Sequence, residues 1–319
     1  MFLTVCLNPT IQKTLQFSSI VPGTVNRAKS HRLDVSGKGI NVTRVLTQLG
    51  NKAVHLTQLG GDMRPLFLSM CEQDKLSVEW VESSCLTSGQ TGQIRFCYTV
   101  LTGTDVTELV EESEPVADGT EERLLEKFND LLENKSYAVS CLIISGTKAA
   151  GFSDAVIPDM VRKAKEKGIR VIVDIKGKDL INSLQYEPDV IKPNLFEFAG
   201  TFAPDLIKDN DLAVNDDTAK DRIKSVVMEM AQKHKCRIIL TNGSRNILTA
   251  DGSNFFSVEF EPVKAVNSIG CGDAFTAGLA SALEDSWSAK QPINFSAAIN
   301  EGIRCGVLNA SLVKPGVIS

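Results

Sequence analysis

The chain has 319 residues, 43% of them hydrophobic, and its 34 basic side chains against 39 acidic ones give a formal net charge of −5 at neutral pH. This length holds one large or two ordinary domains with a full core, and charge spread without a basic cluster argues against nucleic acid or a membrane surface as the main partner. The eight cysteines form no C-x-x-C pair and read as reduced core thiols, and the three histidines have no partner at ligand spacing, which argues against a transition-metal site.

Residues 2–7 read as a buried strand stopped by Asn8-Pro9. A polar stretch leads to S-G-K-G-I-N at 36–41, after which Val42, Val45, Leu46 and Leu49 make a helical stripe ended by Gly50. Residues 53–59 form the next strand, closed by Gly60-Gly61, so a β-α-β unit is complete by residue 60. The run 94–101 alternates more than the core runs and is separated by T-G-T-D from 106–110, the pattern of an exposed hairpin. Helices and apolar strands alternate from there: helix 124–132, strand 139–144, helix 156–164, strand 169–173, the start of a strand at 190–191, helix 223–230, strand 237–240 and a less regular β stretch over 246–260. A strand-like run ending at Val266 leads into the turn N-S-I-G-C-G-D-A-F-T-A-G, followed by a helix with Phe275, Leu279, Ala282 and Leu283 on one face; a helix over 295–308 closes the pattern. Acidic runs at 111–114 and around 209–217 are expected to be solvated loops. No segment approaches the roughly 20 apolar residues of a membrane span, and the N-terminus lacks a basic start and a long apolar run, so the expected compartment is the cytoplasm.

Such alternation predicts an α/β fold, a mostly parallel sheet with helices on both faces, in one domain over 1–319. Ligands of such sheets bind beyond the C-terminal strand ends. The turns of interest all fall there: Asn8-Pro9, Gly60-Gly61, Ser145-Gly146, Asn242-Gly243 and Gly270-Cys271-Gly272.

Gly270 and Gly272 lack Cβ atoms and open a helix, where unpaired NH groups favour an anion such as phosphate. Asp273 beside them has two readings: a base that takes a proton from an attacking hydroxyl, or a first-turn helix acid. S-G-K-G-I-N is not a Walker loop, because Lys38 precedes Gly39 where serine or threonine is required, and it lacks the dinucleotide fingerprint. By itself it reads first as a surface lysine in a glycine turn.

Together the two turns resemble the signatures of the ribokinase-like PfkB sugar kinases, G-A-G-D-x-F-x-A-G near the C-terminus and G-G-K-G-x-N-x-A near the N-terminus, with Ser36 and Thr43 as replacements in the second. The resemblance implies a three-layer α/β/α fold with a small β lid, formed by segments of about 10–35 and 88–112. It makes Asp273 the catalytic base and the Gly270, Cys271 and Gly272 backbone an anion hole. Lys38 would bind a phosphate already on the substrate, with Gly37, Gly39 and Asn41 lining the sugar pocket. Arg95 aligns with the arginine of the phosphosugar branch, though Ile94 stands where threonine is usual, and a solvated strand charge is its other reading. Thr147 in S-G-T would offer a hydroxyl to the same phosphate, although Lys148-Ala149-Ala150 replaces the customary L-P-P. Lys192-Pro193-Asn194 with Glu197 resembles K-P-N-x-x-E, which makes Lys192 an ATP-site residue and gives Asn194 and Glu197 to magnesium through water. Thr241, Asn242 and Gly243 match the strand-end segment lining the ATP site, and Gly302, Gly306 and Asn309 occupy positions where small residues let adenine approach. Gln12 departs from the family's N-P-x-x-D, whose aspartate binds sugar hydroxyls; its amide carries no charge.

The resemblance therefore implies an ATP-dependent, magnesium-requiring kinase of a phosphorylated ketohexose. Fructose 1-phosphate is the first expectation, then tagatose 6-phosphate or fructose 6-phosphate, then an unphosphorylated sugar or nucleoside. A catalytically silent sugar-phosphate sensor is the reading from another class. A homodimer through the β lid is also expected.

Overall fold

The computed structural model describes residues 1–84, 91–103, 105–208, 211–212, 217–252 and 254–319. Four buried residues open the chain as strand β1 (Phe2–Val5), flanked on both sides by parallel neighbours. The chain then leaves the sheet for β2 (Thr10–Gln16) and β3 (Ser30–Ser36), joined by an irregular, mostly exposed segment, and returns as helix α1 (Lys38–Gln48) and β4 (Ala53–Leu59). Helix α2 (Arg64–Gln73) and β5 (Ser77–Glu82) follow, then a second excursion, β6 (Arg95–Leu101) and β7 (Val106–Val110). Alternation resumes with α3 (Thr120–Glu133), β8 (Cys141–Ser145), α4 (Val156–Glu166), β9 (Arg170–Asp174), α5 (Gly177–Ser183), β10 (Val190–Ile191) and α6 (Leu195–Phe202). A short pair, β11 (Ile207–Lys208) and β12 (Asp211–Leu212), precedes α7 (Asp217–Lys233). Strands β13 (Arg237–Asn242), β14 (Arg245–Asp251) and β15 (Asn254–Val258) complete the sheet, and helices α8 (Cys271–Ser288) and α9 (Phe295–Ala310) follow.

The main sheet has the order β15-β14-β13-β10-β9-β8-β1-β4-β5, parallel from β13 to β5 and antiparallel at β14 and β15. Its core strands are apolar on both faces because both are covered. Leu3, Val5, Leu142, Ile144, Val171 and Val173 pack with Leu124, Phe128, Met160, Phe198 and Val227 of α3, α4, α6 and α7. Their neighbours Phe2, Cys141, Ile143 and Ile172 point the other way, onto Val42, Val45 and Leu46 of α1 and Leu279, Leu283 and Ile299 of α8 and α9. The two excursions meet in a second sheet, β3-β2-β6-β7, in which Thr10 of β2 pairs with Arg95 of β6. Ile11 and Val35 root this lid against Ile40, Leu59 and Phe67.

The expected three-layer fold and lid are present; of the lid segment 88–112, residues 88–90 and 104 lie outside the described residues, as do Cys85 and most of the acidic run 209–217. Several expectations need correction. No strand ends at Val266: residues 259–268 are irregular, Val263 and Val266 are exposed, and the segment is held instead by NH groups of Val266 and Asn267 donating to Ala310 O. The stretch expected to be less regular is two ordered antiparallel strands. The acids at 111–114 are not merely solvated, since Glu111 Oε2 accepts from Phe96 N at 2.8 Å and Glu114 Oε2 from Gln93 N at 3.3 Å, fastening the lid root. Helix α2 and strand β5 escaped the periodicity reading because R-P-L-F-L-S-M-C-E-Q and S-V-E-W-V-E present few fully buried positions at the sheet edge.

Helices α8 and α9 approach each other through glycine. A Cβ on Gly278 would stand 2.7 Å from both Cys305 Sγ and Glu301 O, and one on Gly302 would press on the Phe275 ring at 3.0 Å. Because a backbone carbonyl has little room to give, Gly278→Ala is expected to lower the unfolding free energy by about 1–3 kcal/mol, measured by urea denaturation; an unchanged midpoint would show that the two helices separate freely.

Candidate active site

Gly270 takes φ 84°, ψ −6° and turns the chain into α8. A side chain there would be strained and would also meet Gly316 N at 2.9 Å. Asn309 braces this turn from beneath: its Nδ2 donates to Ile269 O at 2.9 Å and its Oδ1 accepts from Gly316 N at 2.7 Å. Cys271 N donates to Ser268 O at 3.4 Å, whereas the NH groups of Gly272 and Asp273 have no helical carbonyl to reach; all three residues line a cavity of about 760 Å³. At the opposite wall Gly37, φ 105°, plays the same part for α1 and delivers Lys38.

Asp273 is buried, and its Oδ2 accepts from Asn41 Nδ2 at 2.8 Å. Lys38 Nζ lies 3.7 Å from Asp174 Oδ1 and 3.5 Å from Glu197 Oε1, while the buried Lys192 ammonium is 3.3 Å from Asp174 Oδ2. Asp174 also accepts from Ser145 Oγ at 3.3 Å and Thr276 Oγ1 at 3.4 Å. Burial opposes its ionisation, yet Lys192 and Lys38 hold its carboxyl below the usual range. The same contact with Asp174 leads the causes that keep Lys38 protonated against its own burial. Asp273 fares differently. Burial above all, with Asp174, raises it, and Lys38, the Asn41 bond and Lys192 pull it down, so that it stands at about 6.

The cavity is lined by most of the residues singled out from sequence: Gln12, Gly37, Lys38, Asn41, Arg95, Lys192, Asn194, Glu197, Thr241, Gly243, Gly270, Cys271, Gly272, Asp273 and Gly306. Gln12 Nε2 donates to Thr99 Oγ1 at 2.6 Å across the lid. A smaller cavity of about 160 Å³ adjoins it, lined by Asn8, Lys38, Arg95, Gly146, Thr147, Lys176 and Glu197 among others. Thr147 lies there, its Oγ1 accepting from Asn8 Nδ2 at 3.2 Å. Arg95 Nε donates to Thr10 Oγ1 at 3.2 Å, so it is tied to the lid and not a loose surface charge.

Four singled-out residues line neither cavity. Gly39 is packed so closely that a Cβ would meet His55 Cε1 at 2.6 Å, Gly302 lies under the Phe275 ring, Asn309 is fully buried as the brace of the glycine turn, and Asn242 is displaced by Gly243 and Ser244 in the β13–β14 turn. Asn194 and Glu197 form a capping box on α6: Asn194 Oδ1 accepts from Glu197 N at 2.7 Å and Glu197 Oε2 from Asn194 N at 3.1 Å. That leaves Glu197 Oε1 as the carboxylate oxygen towards Lys38. Among the described residues no three His, Cys, Asp or Glu side chains cluster as a metal cage. One or two carboxylates beside a phosphate site nevertheless match the donor set of magnesium, which keeps several waters and takes ligands from substrate phosphates.

Asp174 and Lys176 were missed from sequence. The signal was the V-I-V-D run, a buried strand that ends in an acid at the ligand-binding edge of the sheet.

Residues 5–301 match the model of the pfkB family of carbohydrate kinases. Among solved structures, phosphofructokinase-2 from Escherichia coli in complex with potassium superposes with a TM-score of 0.81 at 20% identity, covering all of this chain and 95% of that one. A tetrameric inhibited form of the same enzyme gives 0.78 at 20% identity over 97% and 93% of the two chains. A possible 1-phosphofructokinase from Thermotoga maritima gives 0.76 at 20% identity over 98% and 92%.

Because the folded Asp273 carboxyl holds its proton more tightly than the unfolded one, it favours folding below the unfolded value of 3.8, and that contribution is lost as pH rises through about 6. Asp273→Asn is therefore expected to be more stable than the wild type by about 1–3 kcal/mol at pH 8 and not at pH 4, read from urea midpoints at the two pH values. Equal differences at both would contradict the buried, raised carboxyl.

Proposed function

This chain belongs to the pfkB family of carbohydrate kinases, phosphotransferases with an alcohol as acceptor, and we propose that its acceptor is a phosphorylated ketohexose, fructose 1-phosphate first, converted by ATP to fructose 1,6-bisphosphate. The observation that carries the choice of a phosphorylated acceptor is the smaller cavity, lined by Lys38, Arg95, Lys176 and Thr147 together with Asp174 and Glu197, next to the space holding Asp273. A neutral sugar needs no such cationic recess, whereas a phosphate dianion matches a guanidinium fork and two ammonium groups. The turns N-S-I-G-C-G-D and S-G-K-G-I-N look most like those of 1-phosphofructokinases and tagatose-6-phosphate kinases, which makes tagatose 6-phosphate the second reading; Gln12 is neutral and has one amide NH already given to Thr99.

In this reading Asp273 accepts the proton of the attacking hydroxyl, and the first-turn NH groups of α8 stabilise the charge spreading over the transferring phosphoryl. ATP lies along Lys192, Thr241, Gly243 and Gly306. Magnesium, held by Glu197 and water with Asn194 fixing that carboxylate, would neutralise charge on the nucleotide phosphates. Asn41 keeps a donor on Asp273 Oδ2, which directs the other carboxylate oxygen to the acceptor.

A coupled ADP-release assay with magnesium-ATP against fructose 1-phosphate, fructose 6-phosphate, tagatose 6-phosphate and fructose tests the assignment. Turnover of a phosphosugar is expected, falling about 10²–10⁴-fold in Asp273→Ala. Turnover of fructose alone would remove the phosphate role from Lys38 and Arg95, and no turnover would favour the sensor. Activity is also expected to fall as pH drops through about 6, because the base works only when ionised.

We also propose a homodimer through the lid. Leu33 and Leu109 stand in one row across β3-β2-β6-β7, both exposed, with Val21 and Val25 exposed on the adjoining segment. Light scattering is expected to give twice the chain mass, and a monomer at assay concentration would rule the stable form out.

A further inference from the structure

Arg44 is a buried cation that the chemistry above does not use, 4% exposed on the second turn of α1. Its guanidinium is fully engaged. Nε donates to Asp74 Oδ2 at 3.0 Å, Nη2 lies 2.9 Å from the same oxygen and donates to Val35 O at 2.7 Å, and Nη1 donates to Pro315 O and to Asn41 Oδ1, both at 3.0 Å. These partners come from the α2–β5 turn, the end of lid strand β3, the segment after α9, and α1 itself. Asp74 is further pinned by Lys314.

A guanidinium only donates and is never deprotonated in proteins. Whatever side-chain atom of Asn41 faces Nη1 must therefore be its carbonyl oxygen. The amide is planar, so its Nδ2 is then sent the other way, and there it meets Asp273 Oδ2 at 2.8 Å. An ionised Asp273 selects the same orientation, because the flipped form would set an oxygen lone pair against a carboxylate; Arg44 adds a hold from the other end of the amide that does not depend on the charge of Asp273.

We propose that Arg44 is a positioning residue for phosphoryl transfer: by fixing the orientation of Asn41 it holds the Asp273 carboxylate in place and keeps one donor on it. This rests on Asp273 being the base, as argued above. Arg44 touches no reacting atom; its route to Asp273 runs through Asn41, while its bond to Pro315 O bears on the segment behind the glycine turn. Other groups face Asp273 directly: Lys38 from α1, Lys192 from the β10–α6 connection, Asp174 from the end of β9, and the thiols of Cys271 and Cys6. Their influence on Asp273 does not pass through the Asn41 amide oxygen, so they cannot substitute for Arg44 in orienting it.

The test is a double-mutant cycle in the coupled assay. Arg44→Lys keeps a charge against Asp74, but one ammonium cannot serve Asp74, Val35, Pro315 and Asn41 together. It is expected to lower kcat about tenfold with KM for both substrates changed by less than about threefold, because an interaction made for the base and not for binding acts on kcat. Asn41→Ala is expected to lower kcat by at least about as much. In the Asn41→Ala background Arg44→Lys should cost less than about twofold more, since its route to Asp273 is already gone. Asp74→Asn, at a partly exposed anchor where folding is safer, should lower kcat about threefold and likewise lose that effect beside Asn41→Ala. A readout free of activity accompanies these. The stability difference that Asp273→Asn produces, followed against pH, should level off above about 6 in the Arg44→Lys background, since a donor to the carboxylate has been loosened and the folded value rises further.

Multiplicative losses in the double variants, or an unchanged kcat in Arg44→Lys and Asp74→Asn, would overturn the proposal. Undiminished activity in Asp273→Ala would instead overturn the assignment of the base, and the stability difference would still report whether Arg44 acts on Asp273.

Discussion

A carboxylate taken wholly out of water at the end of a parallel strand is the constraint around which this site is arranged. Burying Asp174 ionised costs several kcal/mol, and the offset comes only from partners brought by other elements: Lys192 from the β10–α6 connection, Lys38 from the start of α1, Ser145 from the end of β8 and Thr276 from α8. Each sits at the C-terminal edge of the sheet because a parallel arrangement puts every crossover helix start on that side. Fold and site are thus one statement. Removing any of these elements would strand a buried charge, and removing Asp174 would leave two ammonium groups facing each other.

The state of Asp273 follows from that hub. Two cations, Lys38 and Lys192, stand among three carboxylates, Asp174, Glu197 and Asp273, and both cations are already engaged by Asp174. Asp273 receives what is left, together with repulsion from Asp174, and burial carries its carboxyl up to about 6. A base in that range is mostly ionised at neutral pH yet still able to take a proton, the compromise expected of general-base catalysis. Carboxylates in the site would repel an approaching polyphosphate, which gives a physical reason for a divalent cation to accompany a nucleotide.

Much of this was legible where the chemistry resides in the backbone. Gly37 and Gly270 announce themselves because only glycine takes their positive φ with ease, and each precedes a helix whose apolar stripe is evident. Capping of α6 by Asn194 and Glu197 follows a spacing rule that needs no tertiary knowledge, although the resemblance assigns both residues to magnesium instead. What stayed hidden was set by contacts between distant segments. Asp174 closes a strand that periodicity ends one residue early, at Val173. Asn309 and Gly302 lie on the expected helix, but whether a small or polar residue there meets a ligand or a neighbouring turn depends on the crossing of α8 and α9. Arg44 looks in sequence like a charge on an amphipathic helix; its partners lie 9 to 271 residues away, apart from Asn41. Edge elements α2 and β5 carry weak patterns for the same reason that they are edge elements.

The two halves of the site are anchored differently. Asp273, Asn41 and Arg44 are locked to the core and to residues 313–316, which also hold the glycine turn through Asn267 and Asn309. Arg95 belongs to the lid, where its partners are Thr10 and Glu111 O. A phosphate gripped by Lys38 and Arg95 together would therefore join the lid to the core, while Asp273 and the Gly270 turn, the proposed base and phosphoryl site, stay where the buried network holds them. Substrate recognition would then organise the lid wall of the cavity without disturbing the reacting one, so that binding energy from the remote phosphate serves to close the site around an acceptor hydroxyl already aligned with Asp273.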